Sequence, residues 1–168
     1  MAKGGIISAI HQGSLAEELE LVPGDKIISI NEQELTDIID LSFALADEEI
    51  EMLIEHENGE QEIIAFEKDI DEELGAEFES AVFGKIRQCA NNCYFCFVDQ
   101  VAPNMRDSLY IKDDDYRLSF LYGNFVTMTN MGPRDLERIH RLHLSPLYIS
   151  VHTTNPKTSW GNAQNKTW

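Results

Sequence analysis

The chain has 168 residues and a formal charge of −17, room for one large domain or two small ones. No stretch nears the ~20 apolar residues of a membrane helix, and the start, Met1-Ala-Lys-Gly-Gly5, lacks the apolar core and cleavage site of a signal peptide. The charge is lopsided: residues 1–80 hold 23 acids against three lysines, whereas residues 81–168 hold 7 acids and 10 bases. That shift predicts two modules meeting near residue 80. The acidic half would repel a phosphate backbone and the second half has only scattered Arg, so neither a nucleic acid nor a membrane is an expected partner.

Gly5–Ile10 is a short apolar run suited to a buried strand. Ser14 followed three residues later by Glu17 predicts a capped helix start, which Val22-Pro-Gly-Asp25 stops with a turn. Lys26–Asn31 resumes strand. From Thr36 the period changes, and Ile38, Leu41 and Leu45 mark one face of a helix running to about Ala46. Ile50–Glu57 and Gln61–Phe66 then read as a hairpin around Asn58-Gly59, a strong turn signal.

That order, with Gly13-Ser-Leu-Ala and Val22-Pro-Gly-Asp-Lys-Ile-Ile-Ser-Ile-Asn31, resembles the PDZ domains of bacterial proteins over residues 4–80. The resemblance implies an α+β PDZ-like domain that takes a protein or peptide partner as an added strand. No carboxylate-binding loop and strand precede Gly5. Leu74-Gly-Ala-Glu-Phe78 could supply that strand by permutation, which favours docking within the same chain over capture of a free peptide.

Cys89, Cys93 and Cys96 are spaced C-x3-C-x2-C. An odd, clustered set makes a poor disulfide framework, and a reduced cytoplasmic setting is expected. A four-iron cubane held by three thiolates keeps one iron open, whereas structural zinc prefers four closed ligands. The triplet therefore suits a 4Fe-4S cluster. The alternative is a PDZ-like binding module whose cysteines hold structural zinc with one of His140, His143 or His152.

Phe95 directly before Cys96 makes the pattern resemble the signature of radical S-adenosylmethionine (radical SAM) enzymes. The resemblance implies three cluster ligands, S-adenosylmethionine on the open iron, reductive cleavage to a 5′-deoxyadenosyl radical, and an electron donor of flavodoxin or ferredoxin type. The substrate stays unassigned.

Beyond the cysteines, Asp113-Asp-Asp115 reads as a solvated turn, and Arg117–Asn124 as a strand ending in a glycine turn. Pro133 opens a helix whose inner face is Leu136, Ile139 and Leu142-His143. Leu147–His152 reads as another strand. Strand, loop, strand, helix and strand in this order predict the start of a parallel α/β array, with sites at the strands' C-terminal ends.

Cys93-Tyr-Phe-Cys-Phe-Val-Asp-Gln100, Lys112-Asp-Asp-Asp-Tyr-Arg-Leu-Ser-Phe-Leu-Tyr-Gly-Asn124 and Ser150-Val-His-Thr-Thr-Asn-Pro156 narrow the likeness. They are similar to an uncharacterised bacterial family that joins a PDZ-like domain, a radical SAM domain and a C-terminal domain of unknown function. The resemblance implies a PDZ-like domain at 1–80 and the first part of an incomplete α/β radical SAM (partial TIM-type) barrel at 81–156. Such a fragment is expected to be inactive alone. Phe95 would lie near the adenine, and Ser150 and His152 near the ribose or substrate. Tyr122, Gly123 and Asn124 stand where many radical SAM proteins have Gly-Gly-Glu, near the methionyl end. Residues 157–168 lack apolar periodicity and are expected to form an irregular tail from a truncation or frame-shift.

Overall fold

The computed structural model describes residues 4–155 and 157. The chain divides into two compact units, Met1–Lys85 and Ile86–Trp168. The irregular tail expected over 157–168 lies, Lys157 apart, outside the described residues.

The first unit is built on an antiparallel sheet of β1 (Gly5–Ile10), β2 (Lys26–Ile30), β3 (Gln33–Glu34), β4 (Glu49–Glu55), β5 (Gln61–Glu67) and β6 (Ala76–Phe78). The path runs β5-β4-β2-β1-β6, with β3 beside β2. β4 shows why the sheet has one wet face: Ile50, Met52 and Ile54 alternate inward and are buried, while Glu49 and Glu51 face water. Helices α1 (Leu15–Glu18) and α2 (Ile38–Ala44) cover the apolar face, contributing Leu15, Ala16, Leu41 and Ala44 to the core. Burying each such Leu or Ile is worth about 1.5–3 kcal/mol. Ser14 caps α1, and Asp37 caps α2 by accepting from the N–H groups of Ile39 and Asp40 at 3.1 and 3.0 Å.

The permuted strand forms. β6 pairs antiparallel with β1 in the register Ile7↔Phe78 and Ile10↔Ala76. The chain then turns to the front of α2, where Asp37 and Val82 make an antiparallel bridge. The Ile38 N–H donates to the Ala81 carbonyl at 2.9 Å and the Phe83 N–H to that of Thr36 at 3.0 Å. Val82 and Phe83 are buried there, the Phe83 ring lying 5.3 Å from that of Phe78.

The second unit holds a 3₁₀ turn (Asp107–Tyr110), α3 (Tyr116–Tyr122), β7 (Phe125–Val126), α4 (Pro133–Arg141) and β8 (Tyr148–Ile149). β7 and β8 pair in parallel, so β7-α4-β8 is a βαβ unit. Among the described residues, parallel pairing stops at these two strands, and no helix is long and apolar enough to cross a membrane.

Four sequence expectations need correction here. The strand expected over Arg117–Asn124 is helix α3. Asp115 accepts from the Arg117 N–H at 3.1 Å as its N-cap, and Gly123 ends it in the left-handed region at φ 76°. Asp113-Asp-Asp115 is no solvated turn, because Asp114 and Asp115 are buried and fully engaged in hydrogen bonds. The strand expected over Leu147–His152 shortens to Tyr148–Ile149, the part that finds a partner in β7. On α4, Leu136 is exposed and His143 lies beyond the helix end, exposed at φ 51°; Leu144 is the buried side chain there. The helix is held instead by polar contacts, with Arg138 donating to the Tyr116 hydroxyl at 2.8 Å.

Candidate functional site

The cysteine loop is anchored at its N-terminal end by a short antiparallel pairing. Gln88 bridges Asp113, the Cys89 N–H donates to the Lys112 carbonyl at 2.8 Å, and the Asp114 N–H to that of Arg87 at 2.9 Å. Arg87 locks this strip to α4 through a bidentate pair with Asp135, at 2.7 and 2.5 Å. Asp135 also accepts from the Gly132 N–H at 2.8 Å, so one carboxylate fixes both the helix start and the strip that carries Cys89. The pairing holds the Asp135 carboxyl below its ordinary range, Arg87 being the main cause.

From Cys89 the chain loops without regular structure through Cys93 and Cys96, with a turn closed by the Cys96 N–H on the Cys93 carbonyl at 3.0 Å. All three thiols are free and half-buried. They line one cavity of about 830 Å³. Burial pushes the Cys93 thiol up, and the neighbouring Cys89 and Cys96 push it further. Lys112, also on the cavity wall, donates to Asp99 at 2.6 Å, and that bond holds the Asp99 carboxyl down.

Most of the other residues singled out in the sequence line the same cavity. Phe95, Gly123, Asn124, Ser150 and His152 do; Tyr122 does not, and its side chain is exposed. The Phe95 ring lies 4.4 Å from the His152 imidazole, tilted by 41°. Asn124 donates to Asp113 at 2.9 Å, and Ser150 follows β8 directly, its N–H donating to the Val126 carbonyl at 2.8 Å. Gly123 and Asn124 come off the end of α3 rather than off a strand, so they differ in setting from a Gly-Gly-Glu segment. His140 and His143 lie apart from the cavity lining, 6.3 Å from one another.

Sequence reasoning missed a polar network behind the loop. Asn91 is 4% exposed, and its amide lies 3.5 Å from Cys89 Sγ, 3.2 Å from Thr127 Oγ1 and 2.7 Å from Thr129 Oγ1. Thr127 donates through its N–H and hydroxyl to both oxygens of buried Asp114, at 2.5 and 2.7 Å. Asn130 adds bonds to the carbonyls of Gln88 and Asp114, at 3.2 and 2.9 Å. The signal available was a polar residue inside the C-x3-C interval and a Thr-x-Thr-Asn run after an apolar pair.

Three free thiols lining one cavity are the donor type that an iron–sulfur cluster would use, one thiolate to an iron. Among the described residues, no three His, Cys, Asp or Glu side chains are gathered as a ready group of ligands for a metal ion.

An antiparallel sheet capped by short helices, followed by a βαβ unit with a thiol-lined cavity, defines a two-part α/β protein. A family model described as a Radical SAM-like domain matches residues 68–166, and one described as a PDZ domain matches residues 6–56. The chain belongs to the Radical SAM-like domain family, preceded by a PDZ domain. No curated protein matches it.

Proposed function

We propose that the second unit is the cluster-holding part of a radical SAM enzyme, in which Cys89, Cys93 and Cys96 ligate a 4Fe-4S cluster and S-adenosylmethionine takes its open iron. The observation that carries this reading is the convergence of the three thiols with Phe95, Asn124, Ser150 and His152 on one cavity. Bound there, the cluster would supply the electron, taken from a donor of flavodoxin or ferredoxin type, that cleaves S-adenosylmethionine to a 5′-deoxyadenosyl radical. The protein's part is placement. Phe95 and His152 offer a tilted aromatic pair for the adenine, Ser150 stands beside the ribose, and Gly123 with Asn124 stands at the methionyl end, in a turn entered from Tyr122. Lys112, held by Asp99, sets a cation on the same cavity wall as the thiols.

The test is anaerobic reconstitution of the chain with iron and sulfide. About four irons and four sulfides per chain support the reading; stoichiometric zinc without sulfide sinks it in favour of a structural site. Cys93→Ala abolishes cluster assembly if the ligands are assigned correctly.

For the PDZ domain the reading is docking on its own chain. β6 takes the edge of β1, and residues 81–83 pair in front of α2, so the chain's own segments make the strand contacts there. A fluorescent peptide with a free apolar C-terminus, titrated against the full chain, should show no saturable binding. Saturable binding competed by unlabelled peptide reverses this assignment.

A further inference from the structure

The buried Asn91 network carries an inference that rests on the cluster reading and deepens it. Asn91 Nδ2 has two hydrogens and three acceptors within reach: Cys89 Sγ, Thr127 Oγ1 and Thr129 Oγ1. The Thr127 hydroxyl is itself committed as a donor to Asp114, so it turns a lone pair towards Asn91. Asp114 in turn accepts the Thr127 N–H, which fixes that hydroxyl against the buried carboxylate. A buried amide oriented by two hydroxyls and aimed at one sulfur is a preorganised donor, not an incidental neighbour.

We infer that Asn91 is a positioning residue that tunes the cluster through Cys89, donating to its thiolate and stabilising the reduced, more negative state. Hydrogen bonds to cluster sulfurs are one of the protein's levers on reduction potential. A donor favours the state with more negative charge on the acceptor, so its presence raises the potential. Among the described residues this side-chain amide contact reaches Cys89 Sγ, so the effect falls on one corner of the triplet.

The sign separates this role from a merely structural one. A loosened loop admits water, whose dipoles also stabilise the reduced state, and the potential rises. Loss of the Asn91 donor alone lowers it.

The experiment is a spectroscopic redox titration of the anaerobically reconstituted full chain, wild type against Asn91→Leu and Thr129→Val. Asn91→Leu keeps the volume and removes the donor; with iron content unchanged, its potential should fall, by about 59 mV for a tenfold loss in a one-electron couple. Thr129→Val removes one competitor for the two amide hydrogens, and its potential should rise above wild type. An Asn91→Leu potential equal to or above wild type overturns the inference, as does a Thr129→Val potential at or below wild type. If wild type loads a cluster and Asn91→Leu does not, Asn91 serves assembly and the tuning role is wrong. If wild type itself takes up no cluster, the functional reading has failed, and the two failures are thereby told apart.

Discussion

The Phe95 ring and the His152 imidazole lie 4.4 Å apart, in contact within the lining of the cavity that the three thiols share. The contact joins the cysteine loop to the segment following β8, two stretches more than 50 residues apart in sequence. Phe95 also meets Tyr94 edge-on at 5.1 Å, so its ring is braced on one side and offers its cavity-facing surface to a ligand.

Under the proposed function, His152→Ala strips half of that wall while leaving the thiols in place. Aromatic pairs contribute ~0.5–1.5 kcal/mol beyond their area, so S-adenosylmethionine should bind about two- to tenfold more weakly to the reconstituted chain. Equilibrium binding of labelled S-adenosylmethionine measures this, with iron content as the control. Unchanged affinity would place the adenine elsewhere.

Asp115 is fully buried and accepts from Arg117 Nη2 at 2.6 Å, Arg117 Nε at 2.8 Å and the Arg87 N–H at 3.0 Å. Asp115→Ala removes the carboxylate from a buried guanidinium and uncaps α3, and should cost about 3–5 kcal/mol in urea unfolding. Asp115→Asn keeps the shape and should cost less. Burial works to raise this carboxyl, but the hydrogen bonds from Arg117 and the Arg87 N–H prevail and hold it below its ordinary 3.8. A depressed folded value means the contribution is complete above pH 3.8 and is lost as pH falls through the folded value. The wild-type urea midpoint should therefore drop more steeply in acid than that of Asp115→Ala.

The same residue shows what the sequence hid. In the first unit, local signals and burial agreed: Ser14 capped, Asn58-Gly59 turned, and Ile50, Met52 and Ile54 alternated as a half-buried strand must. Over 115–123 they competed. The run Leu-Ser-Phe-Leu-Tyr has an apolar content that suits a strand or a buried helix equally, and periodicity alone leaves seven residues undecided. Asp115 before the run and Gly123 after it were the N-cap and left-handed stop of a two-turn helix. The three-aspartate run looked like solvent-facing charge because nothing local reveals that Arg117, Thr127 and Arg87 would come to it. The cysteines were legible from spacing. Asn91 and Thr127 were not, since their meeting is a matter of tertiary packing.

In the first unit, His56 sits between two carboxylates, its Nδ1 2.9 Å from Asp25 and its Nε2 3.3 Å from Glu62. The bond to buried Asp25, then that to Glu62, raises the imidazole above its ordinary 6.5. A raised folded value gives a contribution that is complete below pH 6.5 and lost as pH rises through the folded value. Proton NMR of the ring should show the raised midpoint directly. The stability difference between wild type and His56→Gln should shrink as pH climbs from 6 to 9; a difference that grows with pH would contradict the pairing.

Gly123 supplies the last test, because its cost is set by backbone and not by space. At φ 76° it occupies a conformation that costs an L residue about 1–2 kcal/mol, whereas an added Cβ would meet only the Tyr148 ring at 3.5 Å, an ordinary contact. Gly123→Ala should thus destabilise the second unit by about that amount, read as a lowered midpoint in thermal or urea unfolding. Gly84→Ala is the control: it has open space and no positive φ, and should change stability by less than about 0.5 kcal/mol. Since Asn124 follows directly and lines the cavity, a strained turn at 123 should also weaken S-adenosylmethionine binding to the reconstituted chain. Equal melting of the two alanine variants would show that α3 ends without relying on the left-handed turn.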